Sequence, residues 1–414
     1  MKKIVLISTV LAVMASGLCF SSGSREAVQP KEEVVTISAW MGSWWKDDIP
    51  KVVAAFEAEH PNRKLTIEPV PINGYLEKAI TAVLGGNPPD ILSLDANFIA
   101  SMAGRNLLQT WDEYIKDLDA LDFNQSIWTA GIVNGKQYAL AYRGSSGVYF
   151  INKTMFEGAG LPYPKEGWTY QDQLEMAKKI TVPGDKYGIG IAAALSDPAN
   201  VFSSFAPVLW AFKGEFISSD NKKARINEPE GVAGIKWWTE LYTKYKVVPG
   251  GSINFSITKD VVPMFINNKV AMFPGSSAQF SMLNERPEVK WFSIVGPDGW
   301  NRGGGWAYGI PSTSAHPKEA REYGLWFVKP ENQAKLMIRQ PARSSATTVP
   351  PWNTEEYKPV FAAGKYSRLL PIIPQWGETS NLIITELQKI MQGAKTPQQG
   401  ADDMAKQMNA LLSK

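Results

Sequence analysis

From Val34 onward the chain alternates short apolar strands with amphipathic helices. Val35, Ile37 and Ala39 alternate with Thr36 and Ser38, the period-two pattern of a half-buried strand. Ile49, Val52, Val53 and Phe56 then recur at helical spacing, and His60-Pro61-Asn62 ends that helix because proline cannot continue it. Leu65 and Ile67 open a second strand. Tyr75 to Leu84 reads as a second helix, broken by Gly85-Gly86-Asn87-Pro88-Pro89, and Asp90 to Leu94 as a third strand. Strands alternating with helices imply a parallel sheet with right-handed crossovers, which binds ligands beyond the carboxyl ends of its strands. Trp40 to Trp45 and Asp95 to Asn97 emerge at those ends.

A second α/β unit follows. Gly147 to Ile151 is strand-like, and Thr169, with Asp172 three residues on, caps a helix to Ile180. Tyr187, Ile189 and Ile191 alternate with Gly188 and Gly190. Asn200 to Phe212 reads as helix, and Pro229 suits the first turn of another that runs to about Lys246. Val270 to Phe273, Trp291 to Val295 and Trp306 to Ile310 are further strands. A helix starts at Pro317, and beyond Asn332 the chain is helical or proline-rich loop.

The first residues carry a different pattern. Lys2 and Lys3, the apolar run Ile4 to Ala15, then Ser16 and Gly17 have the order of an export signal. The run falls short of the ~20 apolar residues of a membrane span. Cys19, just after it, is expected to be the lipidated residue of a lipoprotein, with residues 1–23 as export segment and 24–33 as tether. The rival is an ordinary cut near Ser21-Ser22-Gly23.

Composition narrows the function. At 414 residues the chain exceeds one ordinary core, so two lobes are expected. With 44% hydrophobic and 20% charged residues it reads as soluble and globular, and a net charge of +3 with mixed signs excludes a nucleic-acid footprint. A single cysteine excludes an internal disulfide and a thiolate metal site. With only His60 and His316, and no HExxH spacing, neither metal nor cofactor is expected. The 15 Trp and 14 Tyr ask for a reason: a core uses some of them, and a groove that stacks on flat apolar faces uses the rest, favouring sugars over small anions.

Three segments carry a resemblance. The first is Phe56-Glu57-Ala58-Glu59-His60-Pro61 with Gly85 to Ile91, Gly104 to Leu108 and Trp111-Asp112. The second is Gly147 to Lys153 with Phe156 to Pro162 and Gly167-Trp168-Thr169. The third is Gly304 to Pro311 with Ala320, Trp326-Phe327 and Pro330-Glu331. In this order they resemble the family 1 extracellular solute-binding proteins. The resemblance implies a two-lobed α/β periplasmic-binding-protein fold, with solute held in the cleft. Lobe one would comprise residues 34–140 plus 271–312, and lobe two 141–270 plus 313–414. It further implies a monomer, periplasmic or at the cell surface, that captures a sugar and delivers it to the permease of an ABC importer.

Each candidate contact has a second reading. Trp40 and Trp44 either stack on a pyranose or pack in a core. Asp95 either accepts sugar hydroxyls or caps a helix at Asn97. The resemblance turns Tyr142 and Arg143 toward the cleft at the first crossing. It also sets Gly275 where several sugar binders have glycine followed by an aromatic, although Ser276 follows here. Trp306 succeeds Gly303-Gly304-Gly305, which lets backbone approach a ligand. Trp376 falls in a late loop that often contributes an aromatic, and Phe205 and Trp210 serve as ligand contacts or helix core. No nucleophile elbow, P-loop or metal spacing appears, so no enzyme is expected. The alternatives are a binder of a polyol phosphate, polyamine or peptide, and a glycoside hydrolase with paired carboxylates.

Overall fold

The structure is a computed structural model that describes residues 33–413 apart from 73 and 338. The export segment, Cys19 and the tether through residue 32 lie outside the described residues. The strands are β1 (Val35–Gly42), β2 (Arg63–Val70), β3 (Ile91–Asp95), β4 (Leu108–Gln109), β5 (Ile132–Val133), β6 (Lys136–Gln137), β7 (Ala139–Asn152), β8 (Tyr187–Ile189), β9 (Val270–Ser276), β10 (Trp291–Ile294), β11 (Asn301–Pro311) and β12 (Ser367–Arg368). The main sheet runs β2-β1-β3-β11-β7-β9-β8, with β4 and β12 beside β11 and β10 beside β7. β1 is parallel to β2 and β3, and β8 is parallel to β9, as the strand–helix alternation requires. β11 and β7 are antiparallel to each other.

β7 has two halves with different neighbours. Ala139 to Ser146 pair with β11, whereas Gly147 to Ile151 pair with β9 and Tyr149 to Asn152 with β10. The core divides accordingly. One buried cluster gathers Ile37 through Tyr142 with Trp306 through Trp352; two others gather Val148 through Val295 with Val360 through Met408. This packing departs from the expected division in two places. Ala271 to Val295 pack with the second half, because β9 and β10 both pair with the far end of β7. The helix Pro317–Phe327 packs with the first half, where Tyr323 and Trp326 meet Phe56 at 5.2 and 5.1 Å. Hydropathy periodicity marks a helix face as buried without saying which core receives it.

Much of the sequence signature builds this frame. Asp90 accepts the Ser38 backbone N–H (2.9 Å) and hydroxyl (2.8 Å) on one oxygen, and the Ser314 hydroxyl and His316 N–H (both 2.9 Å) on the other. Burial pushes its carboxyl up, but those donors outweigh burial and hold it below the ordinary range. Thr169 and Asp172 form the expected capping box, and the Trp168 indole donates to the Val295 carbonyl at 2.8 Å. Asn152, fully buried, accepts from Met155 N–H at a helix start and donates to the Phe265 carbonyl and the Asn268 side chain. Asn152→Ala should therefore lower stability by about 2–3 kcal/mol, a lost cap plus buried groups left unpaired. The chemical-denaturation midpoint measures this, with an unchanged m-value expected.

Candidate functional site

β3, β11 and β7 lie side by side, and their register sets three unlike side chains in a row. Asp95 is paired with Trp306, and Trp306 with Arg143. Directly paired residues of antiparallel strands project to the same face. A carboxylate, an indole and a guanidinium are thus delivered together where β3 ends. Trp44 joins them from the turn after β1, its ring edge-on to Trp306 at 4.5 Å between centroids. Gly42 makes this possible, since a Cβ there would meet the Trp44 ring at 2.0 Å. Gly305, at φ +153°, lets β11 press against β7, where a Cβ would stand 2.3 Å from the Arg143 carbonyl.

Two further arginines reach this face. The Arg143 and Arg339 guanidiniums lie 5.7 and 5.9 Å from the Trp44 ring centre, within cation–π range. Arg302 lies four residues before Trp306 on β11, and the Asp95 carboxylate acts on it electrostatically. Burial pushes Arg143 down to about 9; Arg339 pushes the same way, and Tyr142 and Asp95 oppose. Burial also lowers Arg302, against Asp95, and Arg339, against Tyr142. The Trp44 Nε1, Arg143 Nε, Arg302 Nε and Asn97 Oδ1 atoms are buried and find no hydrogen-bond partner among the described residues.

Asp95 fills the capping role foreseen for it. One oxygen accepts the Asn97 N–H (3.0 Å) and side-chain amide (2.7 Å), capping the helix Ala96–Gly104. Its other oxygen has no hydrogen-bond partner among the described residues.

The remaining candidates fall elsewhere. Tyr142 is wholly buried, stacks on Tyr308 at 4.2 Å and shares a 2.7 Å hydrogen bond with Ser93; Phe205 is wholly buried among Phe202, Phe216 and Trp238. Neither has surface for a solute, and both are corrected to core residues. Gly275 is buried, with a Cβ position blocked at 2.9 Å by Phe150 and Gln279. Trp376 packs on Phe202 and Phe216. Trp210 belongs to the second core and walls a cavity of about 270 Å³ with Glu215 and Arg368. Trp40 is half-buried under the Lys78 ammonium, 4.1 Å from its ring.

Sequence reasoning missed Asn97, Arg302 and Arg339. Arg302 had a signal: it shares strand parity with Trp306 across the glycine run. Arg339 had none, because it lies in an irregular segment. Among the described residues no group of acidic, histidine or cysteine side chains could hold a metal ion.

The profile of the bacterial extracellular solute-binding protein family matches residues 42–334. A binding protein of Brucella abortus is 24% identical over 95% of both chains. The sn-glycerol-3-phosphate-binding periplasmic protein UgpB of Pectobacterium atrosepticum is 23% identical over 88% of each. Among solved structures, the ABC substrate-binding protein of Listeria monocytogenes in complex with cycloalternan superposes with a TM-score of 0.80 at 24% identity, covering 92% of this chain and 100% of that one. These similarities identify the two-lobed binding-protein fold, and the chain belongs to the bacterial extracellular solute-binding protein family.

Proposed function

We propose that the protein captures a polyhydroxylated solute, a sugar or sugar-like polyol, and presents it to an importer permease. The row Asp95–Trp306–Arg143, with Trp44 edge-on beside it, carries this reading. An indole face suits the C–H surface of a polyol, while a carboxylate and guanidiniums take its hydroxyls through charge-assisted hydrogen bonds. Relatives support the chemistry: the Listeria protein is bound to cycloalternan, and the Pectobacterium protein is named for sn-glycerol 3-phosphate. Trp44, Asp95, Arg143 and Trp306 are the proposed contacts, and the two lobes close on the solute because only the closed state touches it from both sides. The protein works as a monomer without turnover. Cys19 carries the lipid that holds it at the membrane.

Purified protein should be stabilised against heat by a small set of related polyhydroxylated solutes and should leave them chemically unchanged. Products accumulating in proportion to protein, or no stabilisation by any polyhydroxylated solute, would refute the proposal. Trp44→Ala should weaken solute binding by about 1–3 kcal/mol, the scale of a lost apolar contact, and leave ligand-free melting nearly unchanged. Phe205→Ala should do the reverse, costing about 3–5 kcal/mol of ligand-free stability through the cavity it opens. Titration calorimetry paired with ligand-free melting separates the two. Cys19→Ser should release the protein from membranes into the soluble envelope fraction, read by fractionation and immunoblotting; a wild-type protein already soluble would count against the anchor.

A further inference from the structure

The arginines at this face are treated unlike the other arginines of the described chain. Arg63, Arg225, Arg343 and Arg368 each have a carboxylate partner, Glu322, Glu228, Asp122 and Glu215 respectively. Arg321 donates to the Pro317 and Thr110 carbonyls and to the Gln109 side chain. Arg105 and Arg286 are exposed to water. Arg143, Arg302 and Arg339 have neither remedy. They are buried or half-buried, and among the described residues none makes an ion pair or a side-chain hydrogen bond. Arg143 is only 6% exposed, and its Nε is orphaned.

The surroundings do not neutralise them. Among the described residues Asp95 is the one carboxylate that acts on Arg143 and Arg302, and part of its capacity is taken by Asn97. Arg368, across β12 from Arg302, is itself committed to Glu215, with both carboxylate oxygens engaged. Tyr142 spends its hydroxyl on Ser93. Two guanidiniums share the Trp44 ring, which softens their burial but supplies no negative charge. Three cations against one partly engaged anion, in a poorly hydrated place, is an arrangement a protein of modest stability sustains only for use. Guanidinium forks match the oxygens of carboxylates and phosphates, and their hydrogen bonds strengthen where water is excluded.

We propose that the solute carries an oxyanion, a carboxylate or a phosphate ester, received jointly by Arg143, Arg302 and Arg339 while Trp44 and Trp306 line its polyol part. This rests on the polyhydroxylated-solute reading above and narrows it to acidic sugars or phosphorylated polyols. The expected surplus of aromatic stacking over anion recognition is replaced by a site that uses both.

Titration calorimetry of the full chain at fixed ionic strength tests it with glycerol 3-phosphate, glucuronate and inorganic phosphate against neutral glycerol and glucose. At least one acidic probe should bind ten-fold or more tightly than its neutral counterpart, weakening as salt rises. The phosphate and carboxylate arms decide which oxyanion it is. Arg143→Gln, Arg302→Gln and Arg339→Gln should each cut that preference ten-fold or more, and Arg302→Lys should retain part of it. Ligand-free melting confirms that each variant is folded. Equal affinity for neutral and acidic probes, no binding of any anion, or a preference that survives all three glutamine variants would overturn the proposal. Neutral sugars bound without preference would leave the polyol reading standing. Inorganic phosphate bound as tightly as glycerol 3-phosphate would remove the polyol reading and keep the anion site.

Discussion

The architecture depends on one strand that keeps two sets of hydrogen-bonding partners. β7 spends its first half on β11 and its second on β9 and β10. The pairing is continuous at the change of partner, since Gly303 still pairs with Ser146 where Gly147 already pairs with Ser276, and the Ser146 N–H donates to the Gln340 side chain at 2.9 Å. Each core is therefore anchored to the same length of backbone. Any displacement of one core relative to the other has to be absorbed at all three passages of the chain between them, Tyr142 to Val148, Val295 to Trp306 and Trp352 to Val360.

That same strand dictates the chemistry. Arg143 stands four residues before the change of partner, next to Trp306 and one strand further from Asp95. Strand register, which holds side chains at fixed spacing, positions the row more firmly than loops could. Close approach of β11 to β7 is bought with glycine at 305, where no side chain fits. Trp44 is placed differently, by a turn that folds the indole back over Gly42. Three members of the cluster are thus fixed by the sheet and one by a turn.

The fold was largely legible, and for physical reasons. Period-two and helical stripes located the longer strands and helices before Asn332, but not the short strands β4, β5 and β6, the first half of β7, or the short helices Gln125–Ala130, Lys153–Gly158, Val262–Ile266 and Phe280–Asn284. Thr169 with Asp172 forms the capping box its spacing predicts. What periodicity could not supply was the destination of a buried face, so the helix Pro317–Phe327 and strands β9 and β10 were assigned to the opposite core. The tryptophan surplus divides between the two uses open to it: Trp45, Trp111, Trp238, Trp326 and Trp352 are fully buried core residues, whereas Trp44 and Trp306 meet beside Asp95 and Arg143. Asp95 was singled out by its place at a strand end and Arg143 by the family resemblance, and strand register sets both beside Trp306. Arg339 was invisible because its position depends on a pairing of its neighbour Pro341 with Arg143 that no local pattern encodes.

The interleaving of the two cores bears on how the chain acquires its shape. Cluster one begins at Ile37 and is complete only with Trp352, so most of the polypeptide must exist before that half can close. Contacts so distant in sequence carry a large loop-closure cost and fold slowly. The interleaving also means that neither half can be excised as a contiguous fragment: cutting anywhere between Tyr142 and Trp306 leaves the first core without its β11 strand.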